Sequence, residues 1–461
     1  MTYELDFQNP IHIYFMGIGG ISMSGLAQIL LSEGFRVSGS DMKASSLTDA
    51  LIEAGANVYI GQKSENLSCA PDLVVYTSAI RPDNPEWIAM EAAGIPSLSR
   101  AQLLGQMMRN YRYPIAVSGT HGKTTTSSML SEILMVGEQD PTLSIGGILP
   151  SIDANFRIGK NDYFVLEACE YTNSFLSFFP RISIILNIEE DHLDFFQDLE
   201  DIRSSFHRFA RLLPADGALI INGEIDRLDE ITSDLACPVI TFGTDPEMDY
   251  YATDITYDEQ AHATFFAHRK GSDEVRRISL GVPGYHNVGN ALSVLAACDL
   301  LDIPYEQVSK GFEGFHGTER RFQIKGSFNG ITVIDDYAHH PTEIRATLKA
   351  VAQVPHNRVW TIFQPHTYTR TKAFLTDFAD ALTGSDEIIL ADIYAAREKN
   401  TIGITSVDLQ HAIEALGKRC YYFPSFEEIE AFVKTNCTTG DLLITMGAGN
   451  VVNIGESLLS S

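Results

Sequence analysis

The stretch SGTHGKTTTSS, residues 118–128, constrains this chain more than any other, because it joins the apolar run Ile115–Val117 to a helix-period segment. The usual phosphate-binding loop sets two glycines five positions apart ahead of Lys-Ser/Thr. Here Val117 holds the place of the first glycine and Gly119 supplies it two residues later, so the loop is shortened. Its chemistry survives: Gly119 and Gly122 let backbone N–H groups turn inward, Lys123 can reach the β and γ phosphates, and Thr124 can ligate Mg²⁺ at a helix N-terminus. A strand, Gly-x-x-Gly-Lys-Thr and a helix in that order favour a nucleoside triphosphate over a plain glycine turn capped by threonines. The loop alone does not separate a GTPase, a helicase or a kinase-like ligase.

The loop sits in a chain of 461 residues, 44% of them hydrophobic, which supports about three domains with a core each. A formal net charge of -27 opposes any general attraction to nucleic acid or an anionic membrane surface. Six cysteines, at 69, 169, 237, 298, 420 and 437, form no C-x-x-C pair, which argues against a disulfide framework or a structural zinc site and for a reducing cytoplasm. The acidic start MTYELDFQNP does not read as a signal peptide, and no apolar run is long enough for membrane insertion.

The first third alternates short apolar runs with helical periodicity, as in IHIYFMG followed by Met23, Leu26, Ala27 and Leu30. That rhythm predicts βαβ units and a parallel sheet. A fresh strand begins after YRYP (111–114), residues 250–282 alternate like antiparallel strands, a helix is expected from about Asn287 to Leu301, and the βα rhythm restarts after GFHGTERRFQ. The expected class is α/β in three domains: a Rossmann-like region over 1–110, a central ATPase over 111–316 and a Rossmann-like C-terminal region over 317–461.

GIGGIS at 17–22 is nearly the dinucleotide fingerprint, with Ser22 replacing the third glycine and Asp41 at about the right distance for a ribose hydroxyl. Taken alone it points to an NAD-dependent oxidoreductase.

Several further motifs redirect that reading. GTHGKTTT (119–126), NIEEDHLD (187–194), GYHNVGNALSVLAA (284–297), ERRFQ (319–323) and DDYAHHPTEI (335–344) resemble the Mur ligase family in order and spacing, across the whole chain. HIYFMGIGGISMSGLA (12–27), YTSAI (76–80), QPHTYTRTK (364–372) and MGAGNV (446–451) resemble the branch that joins L-alanine to UDP-N-acetylmuramate. Other amino-acid or peptide ligases of the family remain the nearest alternatives.

The resemblance implies ATP as co-substrate, two magnesium ions, and an acyl phosphate formed on the lactyl carboxylate. It implies a uridine-nucleotide site at Gly17, Gly19, Gly20, Ser40, Asp41 and Ser78, with glycine more usual than serine at 22. ATP would be held by Gly119, Thr120, Gly122, Lys123, Thr124, Thr125, Asn287, Asn290, Arg321 and Asp336. Thr124, Glu167 and His192 would ligate magnesium, Lys123, His192 and His340 would serve catalysis, and Arg370 would receive the amino-acid carboxylate. Glu170 and Asp194 read equally well as surface or supporting groups. Some relatives carry a lysine, carbamylated by carbon dioxide, that orients the second magnesium. Here no lysine occurs between Lys160 and Lys270; Arg203, Arg208 and Arg211 stand there instead, and a guanidinium stays protonated.

Overall fold

The computed structural model describes residues 3–77, 79–396 and 398–460, so the Ser78 expectation lies outside the described residues. Its strands form three sheets. The first is fully parallel, in spatial order Asn57–Ile60, Arg36–Asp41, His12–Met16, Leu73–Tyr76, Ser97–Ser99. All five residues of His12–Met16 are buried, as a strand covered on both faces requires. The chain leaves this strand in opposite directions on its two sides, so a crevice opens beyond its carboxyl end, at Gly17. The helix Ile21–Ser32 follows and buries Met23, Leu26, Ala27 and Leu30.

The central sheet has ten strands. A parallel middle runs from Tyr250–Tyr257 through Val239–Gly243, Ala218–Asn222, Ile182–Ile185, Tyr113–Ser118 and Tyr163–Glu167 to Thr142–Leu149. Antiparallel strands close both ends: His262–Arg269 and Val275–Pro283 at one, Ala154–Arg157 at the other. The helices Lys123–Val136 and His286–Leu300 cover one face, burying Met129, Leu130, Ile133, Leu292 and Leu295. On the other face Phe175, Phe206 and Phe209 share one continuous core with Leu104, Met107 and Met108 of the N-terminal region. That shared core fixes the first sheet against the second.

In the C-terminal sheet the order is Gln323–Phe328, Ile331–Asp336, Leu442–Met446, Val359–Phe363, Glu387–Leu390, Cys420–Tyr422, parallel except for the first pair. Separate apolar layers cover its two faces. All six cysteines are free thiols. Among the described residues no helix is long and apolar enough to cross a membrane.

Candidate active site

The strand Tyr113–Ser118 feeds the phosphate loop, and Gly122, at φ +85°, caps the helix Lys123–Val136 in a left-handed conformation that favours glycine. The loop is strapped to the segment after Ile182–Ile185. Thr120 N–H donates to the Asn187 carbonyl (3.2 Å), His121 N–H to Asn187 Oδ1 (2.7 Å), and Glu189 N–H to Thr120 Oγ1 (2.9 Å). Residues 119–122 are thus held open ahead of a helix N-terminus, where backbone donors and the helix dipole favour an anion. Thr125, one position into that helix beyond Thr124, is half-buried.

Lys123 Nζ donates to the carbonyls of Gly119 and Thr120 and lies 3.1 Å from Glu170 Oε2. Burial alone would lower its pKa; the Glu170 carboxylate outweighs that and holds the ammonium charged. Thr124 Oγ1 donates to Glu167 Oε2 at 2.7 Å. An ideal Cβ at Gly146 would fall 2.1 Å from that carboxylate oxygen and 2.6 Å from Thr124 Oγ1, so glycine there preserves room beside the pair. Hydroxyl and carboxylate oxygens bordering such a gap are the hard donors magnesium takes.

His192 stands close by, its Nε2 3.8 Å from Glu170 Oε1 and 3.7 Å from Asp191 Oδ2. Its backbone is left-handed, at φ +53°, uncommon for a residue with a side chain. Tyr171 lies against the imidazole with ring centroids 4.5 Å apart, and its hydroxyl donates to Asp194 Oδ2. Burial lowers the His192 pKa, against the pull of Asp191 and Glu170, which favours the neutral ring a metal needs. Glu170 and Asp194 therefore both touch this constellation, Glu170 through Lys123 and His192, Asp194 through Tyr171.

Asn287 and Asn290 are buried on the helix His286–Leu300, whose N-cap is Tyr285, so neither amide is a cap. Asn290 Nδ2 donates to Asn287 Oδ1 (2.9 Å), and Asn290 Oδ1 would lie 2.9 Å from a Cβ at Gly122, which puts its amide against the loop.

Across the cleft, Arg320 is fully engaged by Asp335 and the carbonyls of Gly447 and Gly449. Arg321 is freer: it reaches Glu343 only at 4.0 Å and stands over the Tyr337 ring. Asp336 accepts from Thr347 Oγ1 and from Ala338 N–H; burial pushes its pKa up to about 6 against the nearby Arg321 charge.

His339 and His340 lie just beyond the strand Ile331–Asp336 rather than on it, and they diverge. His339 turns to Glu343, while His340 caps the helix Pro341–Val351, its Nδ1 accepting from Thr342 N–H and its Nε2 donating to the Glu190 carbonyl. Burial takes the His340 pKa down to about 4. Arg370 is half-buried and pairs with Asp191 Oδ1 through Nη2 (2.8 Å) and Nε (3.0 Å). His121 Nδ1 lies 3.2 Å from Glu343 Oε1, and Thr342 Oγ1 donates to Glu189 Oε2. The phosphate loop and residues 189–191 thus meet helices of the C-terminal region through polar contacts.

In the N-terminal crevice Gly17 (φ +83°) and Ile18 donate their N–H groups to the Ser40 carbonyl, and Gly19 N–H donates to Asp41 Oδ2. Gly20 caps the next helix with extended backbone. The Ser40 hydroxyl points away, donating to the buried Glu86, which also accepts from Tyr14 and Asn66. Ser22 Oγ accepts from Arg100 Nη1 at 3.0 Å. Arg100 is lowered in pKa by burial, against the attraction of Cys169 and Glu167 in the central region.

Sequence reasoning did not single out His121, Gly146, Asn187, Glu189, Asp191 or Glu343. All but Gly146 fall inside motifs already quoted: His121 in GTHGKTTT, Asn187, Glu189 and Asp191 in NIEEDHLD, and Glu343 in DDYAHHPTEI.

Comparison with known proteins agrees along the whole length. The chain matches the Mur ligase family, catalytic domain, over residues 12–112, the Mur ligase middle domain over 117–298 and the Mur ligase, glutamate ligase domain over 320–449. It is 59% identical to a UDP-N-acetylmuramate–L-alanine ligase of Agathobacter rectalis over 99% of both chains. To the enzyme of that name from Lachnospira eligens it is 57% identical, over 99% of this chain and 100% of the other. Among solved structures, the UDP-N-acetylmuramate-alanine ligase of Thermotoga maritima superposes with a TM-score of 0.79 at 30% identity, covering 98% of each chain. A murein peptide ligase from Psychrobacter arcticus gives 0.71 at 27%, again over 98% of each. With a shortened phosphate loop facing two other α/β regions, and with family matches over all three, the chain belongs to the Mur ligase family.

Proposed function

We propose that this chain joins L-alanine to the lactyl carboxylate of UDP-N-acetylmuramate, using ATP, as a step in peptidoglycan precursor synthesis. The observation that carries the reading is identity of 59% over 99% of the chain to a ligase of that name. The division at 1–110, 111–316 and 317–461 then corresponds to a uridine-nucleotide region, an ATPase and a closing region.

A carboxylate is a poor electrophile toward an amine, so it must first be activated. Its oxygen attacks the γ phosphorus of ATP and ADP leaves; the amine of L-alanine then attacks the acyl carbon and phosphate departs. Magnesium, held by Thr124, Glu167 and His192, would supply charge neutralisation on the phosphoryl oxygens. Lys123 adds its buried ammonium to the same task, which is positioning and electrostatics rather than covalent catalysis. Asn287 and Asn290 offer amides for the adenine edge, with Arg321 and Asp336 beside the nucleotide. Gly17, Gly19 and Gly20 let the backbone approach the sugar-nucleotide diphosphate, and Asp41 buttresses that turn. His340 lines the cleft where water must be excluded from the acyl phosphate. Arg370 receives the amino-acid carboxylate in exchange with Asp191.

Phosphate release measured with UDP-N-acetylmuramate and each amino acid in turn tests this. Turnover should require ATP, magnesium, the sugar nucleotide and L-alanine together and yield ADP. Formation of AMP and pyrophosphate, or turnover with a peptide but not with L-alanine, overturns it.

A further inference from the structure

His121, Glu189 and His340 each bring one ligand atom within 4.8 Å of the others where the phosphate loop meets the C-terminal region. His121 Nε2 is buried and makes no hydrogen bond. Glu189 Oε2 lies 3.6 Å from it. That is too long for a hydrogen bond, but it matches the ~3.4 Å between two ligands of a tetrahedral ion with bonds of about 2.0–2.1 Å. On the other side of the ring, Nδ1 lies 3.2 Å from Glu343 Oε1. A carboxylate there keeps the proton on Nδ1 and leaves the Nε2 lone pair for a metal, the arrangement that stands behind metal-bound histidines. The His340 ring completes the group, its centroid 4.6 Å from that of His121; to ligate, it frees one ring nitrogen, releasing either the Glu190 carbonyl from Nε2 or the Thr342 N–H from Nδ1.

We propose that His121, Glu189 and His340 form a binding site for a divalent transition metal of the zinc class, separate from the magnesium position at Thr124, Glu167 and His192. Two imidazoles and one carboxylate suit zinc, whereas magnesium prefers an all-oxygen shell. Three protein ligands leave a fourth position for water. His121 and Glu189 come from the central region and His340 from the C-terminal one, so a bound ion ties the two together across the phosphate loop. A proton on His121 Nε2 competes for the same lone pair and must leave when the ion enters.

Binding is read without turnover, so the test stands apart from the proposed reaction. The full-length chain is titrated with zinc chloride by calorimetry and with cobalt chloride by visible absorption, in excess magnesium chloride. One ion per chain should bind, with the intense absorption of tetrahedral cobalt. His192→Ala should retain this ion, while His121→Gln and the near-isosteric Glu189→Gln should each weaken it at least about tenfold. Thermal unfolding shows which variants are folded, and either of the last two suffices. Unchanged affinity in a folded His121→Gln or Glu189→Gln protein, loss of the ion in His192→Ala, or no binding in excess magnesium each overturns the site.

Discussion

Gly146 gives the most direct test of the metal-side geometry. It lies on the strand Thr142–Leu149 and is absent from the glycines with positive φ, so the backbone itself accepts alanine. The side chain does not fit. Its Cβ would stand 2.1 Å from Glu167 Oε2, whereas real Cβ contacts essentially never fall below 3.0 Å. Glu167 must therefore retreat by roughly 1 Å, a displacement of the size that costs about 10²-fold in rate when it misplaces a reacting group, or about 2.7 kcal/mol of barrier. Stability should hold, because alanine in a permitted conformation stiffens the unfolded chain and gains about 0.4–1 kcal/mol against the local clash. The assay is ADP formation against magnesium concentration, beside a thermal melt. Gly147→Ala is the control: its Cβ comes no closer than 3.2 Å, to Thr124 Cγ2, and should cost less than about tenfold. If Gly146→Ala keeps more than about a third of the wild-type rate with unchanged magnesium dependence, the crowding argument fails.

Lys123→Ala should remove activity by more than about 10²-fold while the melt stays within a few degrees, since the lost term is transition-state charge stabilisation; retention of about a tenth of the rate refutes it. Asn290→Asp replaces the donor that now reaches Asn287, and should weaken ATP binding about tenfold or more; equal affinity with equal stability refutes the adenine role. Burial opposes protonation of His121, but the carboxylates of Glu189 and Glu343 raise its pKa to about 9, above the 6.5 of the free side chain. That stabilisation is complete below pH 6.5 and is lost as pH climbs through 9, so unfolding of wild type, but not of His121→Gln, should become easier over that window; parallel profiles refute it. Because no lysine lies between Lys160 and Lys270, added bicarbonate or removal of carbon dioxide should leave the rate unchanged, while His192→Ala weakens magnesium dependence sharply; bicarbonate stimulation contradicts this.

The parallel-sheet rhythm and the phosphate loop were legible because both are local: apolar runs bounded by glycines, and a fixed spacing of glycine, lysine and threonine. Partner choice was not. Arg370 meets Asp191 across 179 positions, a pairing set by how two sheets face each other and by nothing adjacent to either residue. Ser40 looks like a ligand-facing hydroxyl in the sequence, yet the strand alternation turns it inward to Glu86. Gly146 carries its meaning only through the Thr124–Glu167 pair, which a different strand and a helix deliver. The adjacent histidines at 339 and 340 diverge because the second caps a helix, which nothing in their spacing shows.

On the proposed function, the segment 187–192 would couple nucleotide binding to the C-terminal region. Asn187 braces the phosphate loop, with Glu189 N–H bonded to Thr120. Thr342, His340 and Arg370 of the C-terminal region then land on Glu189, Glu190 and Asp191 in succession. The next residue is His192, turned toward Glu170 by its left-handed backbone. A shift of the loop on one side of this strap must therefore move the acceptors that the C-terminal region contacts and the imidazole of His192. These groups share partners, so their losses on substitution should not add: a double change at Asn187 and Arg370 should cost less than the two single costs combined.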